Sequence, residues 1–282
     1  MGINCKAMQE RIKVKLKEQV GKLQAVPQLA TIIVGDNIAS HKYVKNKEKF
    51  IAECGMASFT IGLENDVEED ELVEMINMFN ADDSVHGILV QLPLPSHINE
   101  KNVLNSITPL KDVDGLSKFT EFTPCTPKGI MTILKELEFE PSGKHAMIIG
   151  RSDIVGKPMY NLLLENDATT VQIHSKTPFS APAYVYNMQP QLIISAVGKQ
   201  DLLTAERLKK IEIMSSYTPE IIIDVGINEI DGKIEGDIKK SDYPMLDELN
   251  IKYTTVPGGV GLMTVASLAE NLLLAYEKQG GI

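Results

Sequence analysis

Short apolar runs, each long enough for one strand, alternate with helix-periodic segments along most of this chain, and no other feature restricts its fold as much. LATIIVG (29–35) and HGILVQLPLP (86–95) read as buried strands, and ASFTIGL (57–63) as a weaker one. Between the last two, EEDELVEMINMFN places Leu72, Ile76 and Phe79 on one helical face. Its acidic first turn suits the positive end of a helix dipole. Strands that are apolar throughout, separated by amphipathic helices, make the pattern of a parallel sheet.

A turn-rich stretch, DVDGLSKFTEFTPCTP (112–127), interrupts this series and marks a domain junction. A second series follows. HAMIIG (145–150), TTVQIHS (169–175), QLIISAVG (191–198) and EIIIDVGIN (220–228) read as strands, and IKYTTVPGG (251–259) as a candidate fifth. VGKPMYNLLLEN reads as a helix with its proline in the first turn, where a missing N–H does no harm. Near the chain end, Leu262, Val265, Ala266, Ala269, Leu272, Leu273 and Tyr276 form one apolar stripe at helical spacing. The 282 residues therefore divide into two α/β domains. The cleft between two such domains is the default ligand site.

The net charge of −10 argues against a nucleic-acid binder or an anionic-membrane binder, either of which needs a basic face. No apolar run is long enough to span a membrane, and the N-terminus lacks the apolar core of a signal peptide. Cys5, Cys54 and Cys125 have neither disulfide-framework nor zinc spacing, so a reducing, cytoplasmic setting is expected. None of the five histidines falls at metal-ligand spacing, and no metal is expected.

After the strand ending at Gly150 comes GRSDIVGKP. A dinucleotide fingerprint is strand, G-x-G-x-x-G, then helix. Here Ser152 replaces the second glycine and the third falls one place late, at Gly156. The following helix is expected to offer free N–H groups to a pyrophosphate. NAD sites place an acid at the end of the second strand. That position, IHSKT (173–177), has none; Ser175, Lys176 and, across the turn, Arg151 suit the extra phosphate of NADP. Solvated residues at a strand end are the competing reading.

For a helix over 39–54, Ser40, Tyr43, Val44, Lys47, Phe50, Ile51 and Cys54 share one face. Lys42, Lys45 and Lys49 lie opposite. Lys47 is thus the one charge on an inward stripe. Burial lowers a lysine pKa and suits acid–base work. A lysine that snorkels to water, or pairs with a buried carboxylate, fits the same pattern. Gln91, interrupting an apolar run, and Asp114, in the tight KDVDG loop, are also candidate polar groups, each with a structural alternative.

VGDNIASHKYVKNK, GILVQLPLP, KDVDG, PCTPKGI, GRSDIVGKPM, DVGIN, GDI and VPGGVGLMT occur in this order over nearly the whole chain. The set closely resembles the bifunctional methylenetetrahydrofolate dehydrogenase/cyclohydrolase family. The resemblance implies two α/β domains flanking a cleft: a folate-binding catalytic domain (1–125 plus 262–282) and a Rossmann-like NADP-binding domain (126–261). The C-terminal helix then packs back on the first domain. It implies a homodimer, tetrahydrofolate derivatives as substrates, and NADP as cofactor. It implies oxidation of 5,10-methylenetetrahydrofolate to the methenyl cation, then hydrolysis to 10-formyltetrahydrofolate. By the same resemblance Lys47 is the catalytic lysine, Gln91 tunes it, Tyr43 stacks on the folate ring and Asp114 binds the pterin edge. Folate contacts extend to Ser40, Val90, Leu92, Pro257, Gly258 and Gly259. Cofactor contacts fall on Gly150, Arg151, Ser152, Ser175, Ile227 and Thr264.

The sequence departs from the family pattern in places. The loop between Gly115 and Pro124 is short, DGL replaces DGF, Leu262 stands where proline is usual, and Tyr160 replaces a small residue. A monofunctional NAD(P)-dependent dehydrogenase of the same architecture and a non-catalytic nucleotide sensor are the alternatives. The first is favoured by the short loop and opposed by the intact Tyr43, Lys47, Gln91 and Asp114 set.

Overall fold

The structure, a computed structural model, describes residues 1–177, 188–200, 204, 206, 208–209, 217–230 and 232–280. The chain divides into two compact units, Gln9–Cys125 with Val265–Ile282 and Met1–Met8 with Thr126–Thr264. The opening eight residues thus group with the second unit. The reason is backbone pairing: Ile3 N donates to Tyr253 O (2.8 Å) and Tyr253 N to Met1 O (3.2 Å).

Along the first part of the chain run α1 (Cys5–Val20), β1 (Gln28–Val34), α2 (Ile38–Glu53), β2 (Ala57–Leu63), α3 (Glu69–Ala81), β3 (Gly87–Val90) and α4 (Glu100–Asn105). The three strands are parallel, in the order β2–β1–β3. Alternation along β1 and β3 sends side chains to two separate cores. Leu29 and Leu89 join α2 residues Phe50 and Ile51 and the C-terminal helix (Val260–Lys278). Ala30, Ile32, Val34, Ile88 and Val90 join Leu72 and Ile76 of α3 and Val103 of α4. A sheet buried on both faces explains runs with no polar alternation. Leu29, Ile32, Leu72, Ile76, Ile88 and Leu89 are fully buried. Cutting any one to alanine costs about 2–5 kcal/mol. The C-terminal helix does pack back on this unit, through Val265, Ala266, Leu268, Ala269, Leu272, Leu273 and Ala275.

The second part holds α5 (Cys125–Glu136), β4 (His145–Ile149), α6 (Gly156–Glu165), β5 (Thr169–Ile173), β6 (Leu192–Ser195), β7 (Ile221–Asp224), the antiparallel hairpin β8 (Asn228–Ile230) and β9 (Lys233–Glu235), and β10 (Lys252–Tyr253). Five parallel strands stand in the order β10–β7–β6–β4–β5. This is a doubly wound, Rossmann-like sheet whose strand order reverses between β4 and β6, where such sheets bind ligands. The stretch 220–228 reads from sequence as one strand, but it breaks after Asp224. The buried Asp224 carboxylate accepts from Gly226 N (3.0 Å), Asp237 N (3.0 Å) and Ile238 N (2.9 Å), bending the chain into the hairpin. Among the described residues, no helix is long and apolar enough to cross a membrane. The three cysteines are buried and form no disulfide.

Candidate active site

Asn37 starts α2 as its N-cap, its side chain accepting from Ser40 N (2.9 Å). Helical spacing then turns Val44, Lys47, Phe50 and Ile51 inward. Lys47 is 4% exposed, while Lys42, Lys45 and Lys49 lie in water. Gln91 directly follows β3. Leu89 faces the α2 layer and Val90 the α3 layer, so alternation returns Gln91 to the α2 side. There Lys47 Nζ donates to Gln91 Oε1 at 3.0 Å. The amide is itself anchored, Gln91 Nε2 donating to Leu92 O at 2.7 Å. Lys47 Nζ also sits 4.6 Å from the centre of the Tyr43 ring.

Burial drives the Lys47 pKa below its ordinary value, against the attraction of Asp114 and the influence of Cys125. Burial likewise raises the Asp114 carboxyl, with Lys47 pulling it down and Asp112 pushing it up. Desolvation therefore drives both partners toward their neutral forms. It also raises the Tyr43 hydroxyl, which stays protonated. Ser40, Tyr43, Lys47, Gln91 and Asp114 thus belong to one unit, with Lys47 at the centre of the bonded and charged contacts. Val90 is different: its side chain is buried in the α3 core, which leaves its backbone as the group able to meet a ligand. Leu92 is half-buried and packs on the same core.

In the other unit, Gly150 directly follows β4, at φ +123°. A Cβ there would lie 2.4 Å from Ala196 O, so glycine is required for β4 and β6 to meet at the switch point. Gly156 is equally constrained, since a Cβ would lie 2.5 Å from Gly150 O. The expectation of free N–H groups at the start of α6 is not met at its first residues. Ser152 Oγ accepts from Val155 N (3.2 Å) and Gly156 N (3.3 Å), and Ser152 O accepts from Lys157 N (3.0 Å). Pro158 has no N–H to offer.

Arg151 and Ser175 are both exposed, each two residues past the paired ends Ile149 and Ile173 of adjacent parallel strands. A cation and a hydroxyl at these strand ends, with no carboxylate on the IHSKT turn, fit the extra phosphate of NADP. Ile227 is 70% exposed just past β7, an apolar surface suited to a flat ring. Val197, past β6, and Ile154, in the turn after Gly150, are also exposed apolar residues. Sequence reasoning missed both, because an apolar residue in a loop carries no periodic signal. Pro257 and Gly258 lie exposed in the turn before the C-terminal helix, Gly258 at φ +97°. The Gly259 position has no room for a Cβ, which would meet Thr255 O at 2.3 Å. Thr264 is buried, its hydroxyl engaged with Val260 O and Thr126 Oγ1, both at 3.1 Å.

Comparison with known proteins decides what this arrangement belongs to. Residues 3–114 match the family model described as the catalytic domain of tetrahydrofolate dehydrogenase/cyclohydrolase, and residues 124–280 match that family's NAD(P)-binding domain. The chain belongs to the tetrahydrofolate dehydrogenase/cyclohydrolase family. A relative in that family, the bifunctional protein FolD of Exiguobacterium sibiricum, is 41% identical over 97% of this chain and 98% of its own length. The crystal structure of the Campylobacter jejuni FolD enzyme has a TM-score of 0.88 at 40% identity, covering 99% of each chain. The Trypanosoma brucei enzyme, complexed with NADP cofactor and an inhibitor, has a TM-score of 0.85 at 30% identity, over 99% of this chain and 97% of that one.

Proposed function

We infer that the protein is a bifunctional folate enzyme. It oxidises 5,10-methylenetetrahydrofolate to the 5,10-methenyl cation with NADP, and hydrolyses that cation to 10-formyltetrahydrofolate. The buried Lys47 amine, held by Gln91 and biased toward neutrality, carries this reading at the level of residues. Bound NADP supplies the hydride acceptor. Arg151 and Ser175 hold its extra phosphate by charge-assisted and hydroxyl hydrogen bonds. Gly150 permits the close turn, and Ile227 offers an apolar surface to a ring.

Oxidation needs alignment more than acid–base help. Tyr43 presents its ring to the flat pterin, and Asp114 accepts hydrogen bonds from the pterin's N–H edge. Ser40, Leu92 and the Val90 backbone complete the folate contacts on this unit. Hydrolysis needs a base that does not repel a cation. A charged ammonium beside the methenyl carbon would oppose its binding; a neutral Lys47 does not. Water adds its oxygen to the methenyl carbon while Lys47 takes one proton. The bond from that carbon to N5 then breaks, the hydroxyl proton is lost as the formyl group forms, and N5 gains a proton. One proton is released overall.

We also propose a homodimer formed through the nucleotide unit, supported by the family pattern and by exposed Ile230 and Ile234 on the β8–β9 hairpin. A cytoplasmic setting is supported by three buried thiols, none of them in a disulfide. The decisive experiment incubates the protein with methylenetetrahydrofolate and NADP while NADPH and the methenyl chromophore are followed separately. NADPH without methenyl turnover would leave a dehydrogenase alone; neither signal would refute the reading.

A further inference from the structure

The loop that carries Asp114 is tied down from both ends. On one side, Lys111 is buried and donates to three carbonyls at the end of α3: Phe79 O (2.9 Å), Asn80 O (3.0 Å) and Asp82 O (2.8 Å). This satisfies a helix C-terminus with a cation. Next, the buried Asp112 carboxylate accepts from Gly115 N (3.2 Å), Leu116 N (3.3 Å) and Ser117 N (2.8 Å), fixing the chain just past Asp114. On the other side stands one residue far away in sequence. Asn271, on the C-terminal helix, is 1% exposed. Its Nδ2 donates to Val113 O (2.9 Å) and Thr123 O (3.1 Å) and lies 3.6 Å from Cys125 Sγ. It thereby joins the residue before Asp114 to the chain that closes the short loop. Cys125 strengthens the same seam, its Sγ donating to Val113 O (3.2 Å) and its N–H to Asp114 O (3.1 Å).

A buried amide with apolar helix neighbours is costly unless its donors are used. Here they are used on the backbone around Asp114. Helix packing gives no reason to choose asparagine at this position, since Leu268, Leu272 and Ala275 around it fill the core without polar atoms. We propose that Asn271 is a positioning residue for folate: it clamps both ends of the 113–125 loop and so fixes where Asp114 meets the pterin. The proposal rests on the role given to Asp114 above.

The test compares Asn271→Leu, which keeps the branched shape and removes the donors, with Asp114→Asn and with the double variant. Losing the donors to Val113 O and Thr123 O should weaken folate use by at least about 10-fold in kcat/KM for both reactions. The affinity for NADP, measured by equilibrium dialysis, should stay within about 2-fold, because a side chain with no cofactor contact leaves that site alone. In the double variant the two losses should fail to add, because both act through one carboxylate. Fully additive losses, with Asp114→Asn impaired on its own, would overturn the clamp and leave the role of Asp114 standing. An unimpaired Asp114→Asn would refute the role of Asp114 and the clamp together. Should Asn271→Leu fail to fold, Asn271→Ser, which shortens the reach but keeps a hydroxyl, carries the same comparison. A folded Asn271→Ser enzyme with normal folate kinetics would overturn the proposal.

Discussion

Replacing Lys47 by methionine separates the two chemical steps. The substitution keeps an unbranched stem and removes Nζ. Three contacts of the amine are lost: the 3.0 Å bond to Gln91 Oε1, the approach to the Tyr43 ring at 4.6 Å, and the attraction to Asp114. Gln91 stays anchored on Leu92 O, so the strand end does not move. A positioned general base contributes about 10²- to 10⁴-fold, or about 3–5 kcal/mol of barrier. Hydrolysis of the methenyl cation should fall by that factor, toward the solvent rate. Oxidation should survive in part, because hydride transfer depends on ring alignment. Methenyl product should therefore accumulate when the variant is given methylenetetrahydrofolate and NADP, read from its absorbance beside that of NADPH. Folding should not suffer, since the change removes a desolvated amine and leaves no cavity. Lys45→Met, on the solvated face, should change stability by no more than about 0.5 kcal/mol and leave both rates alone. Normal methenyl hydrolysis by the Lys47→Met enzyme would refute the reasoning from the inward stripe.

Further outcomes follow from the same geometry. Enzymatic hydrolysis should rise with pH through an inflection below the ordinary lysine value of 10.5, because burial lowers Lys47 and the proposed base is its neutral amine; a rate flat across that window, after subtracting the uncatalysed reaction, would count against a lysine base. The folded state binds fewer protons at Lys47 than the unfolded chain between the lowered value and 10.5, so stability should rise with pH across that interval, and Lys47→Met should flatten the rise in denaturant titrations. Arg151→Ala should cost about 10- to 100-fold in kcat/KM for NADP and little for NAD, and equal use of the two cofactors by the unaltered enzyme would sink the assignment. Gly150→Ala should abolish NADP binding in dialysis, since the added carbon meets Ala196 O at 2.4 Å.

β1, β3, β4, β6 and β7 were legible because each is buried along nearly its whole length and so spelled by a largely apolar run. Lys47 was legible for the opposite reason, a charge at a position where the helical period demands an apolar side chain. α1 carries no such signature: its buried positions, Cys5, Met8, Leu16 and Val20 with the partly buried Ile12, form a narrow stripe among lysines. The break after Asp224 depends on a carboxylate accepting from residues 13 and 14 positions later, which no local pattern encodes. Asn271 was hidden in the same way. The C-terminal helix is buried well beyond one stripe, and a polar residue off that stripe reads as a solvated one.

The Ser152 turn at the start of α6 has a consequence for the enzyme before any cofactor arrives. Three N–H groups that could attract loose phosphate are already occupied by one residue of the same turn. In a cell crowded with ATP, inorganic phosphate and phosphorylated sugars, such a turn is a poor general anion trap. On the NADP assignment proposed above, selectivity rests instead on Arg151 and Ser175 at the two strand ends, so competing cellular anions should occupy the site weakly and leave it open to NADP.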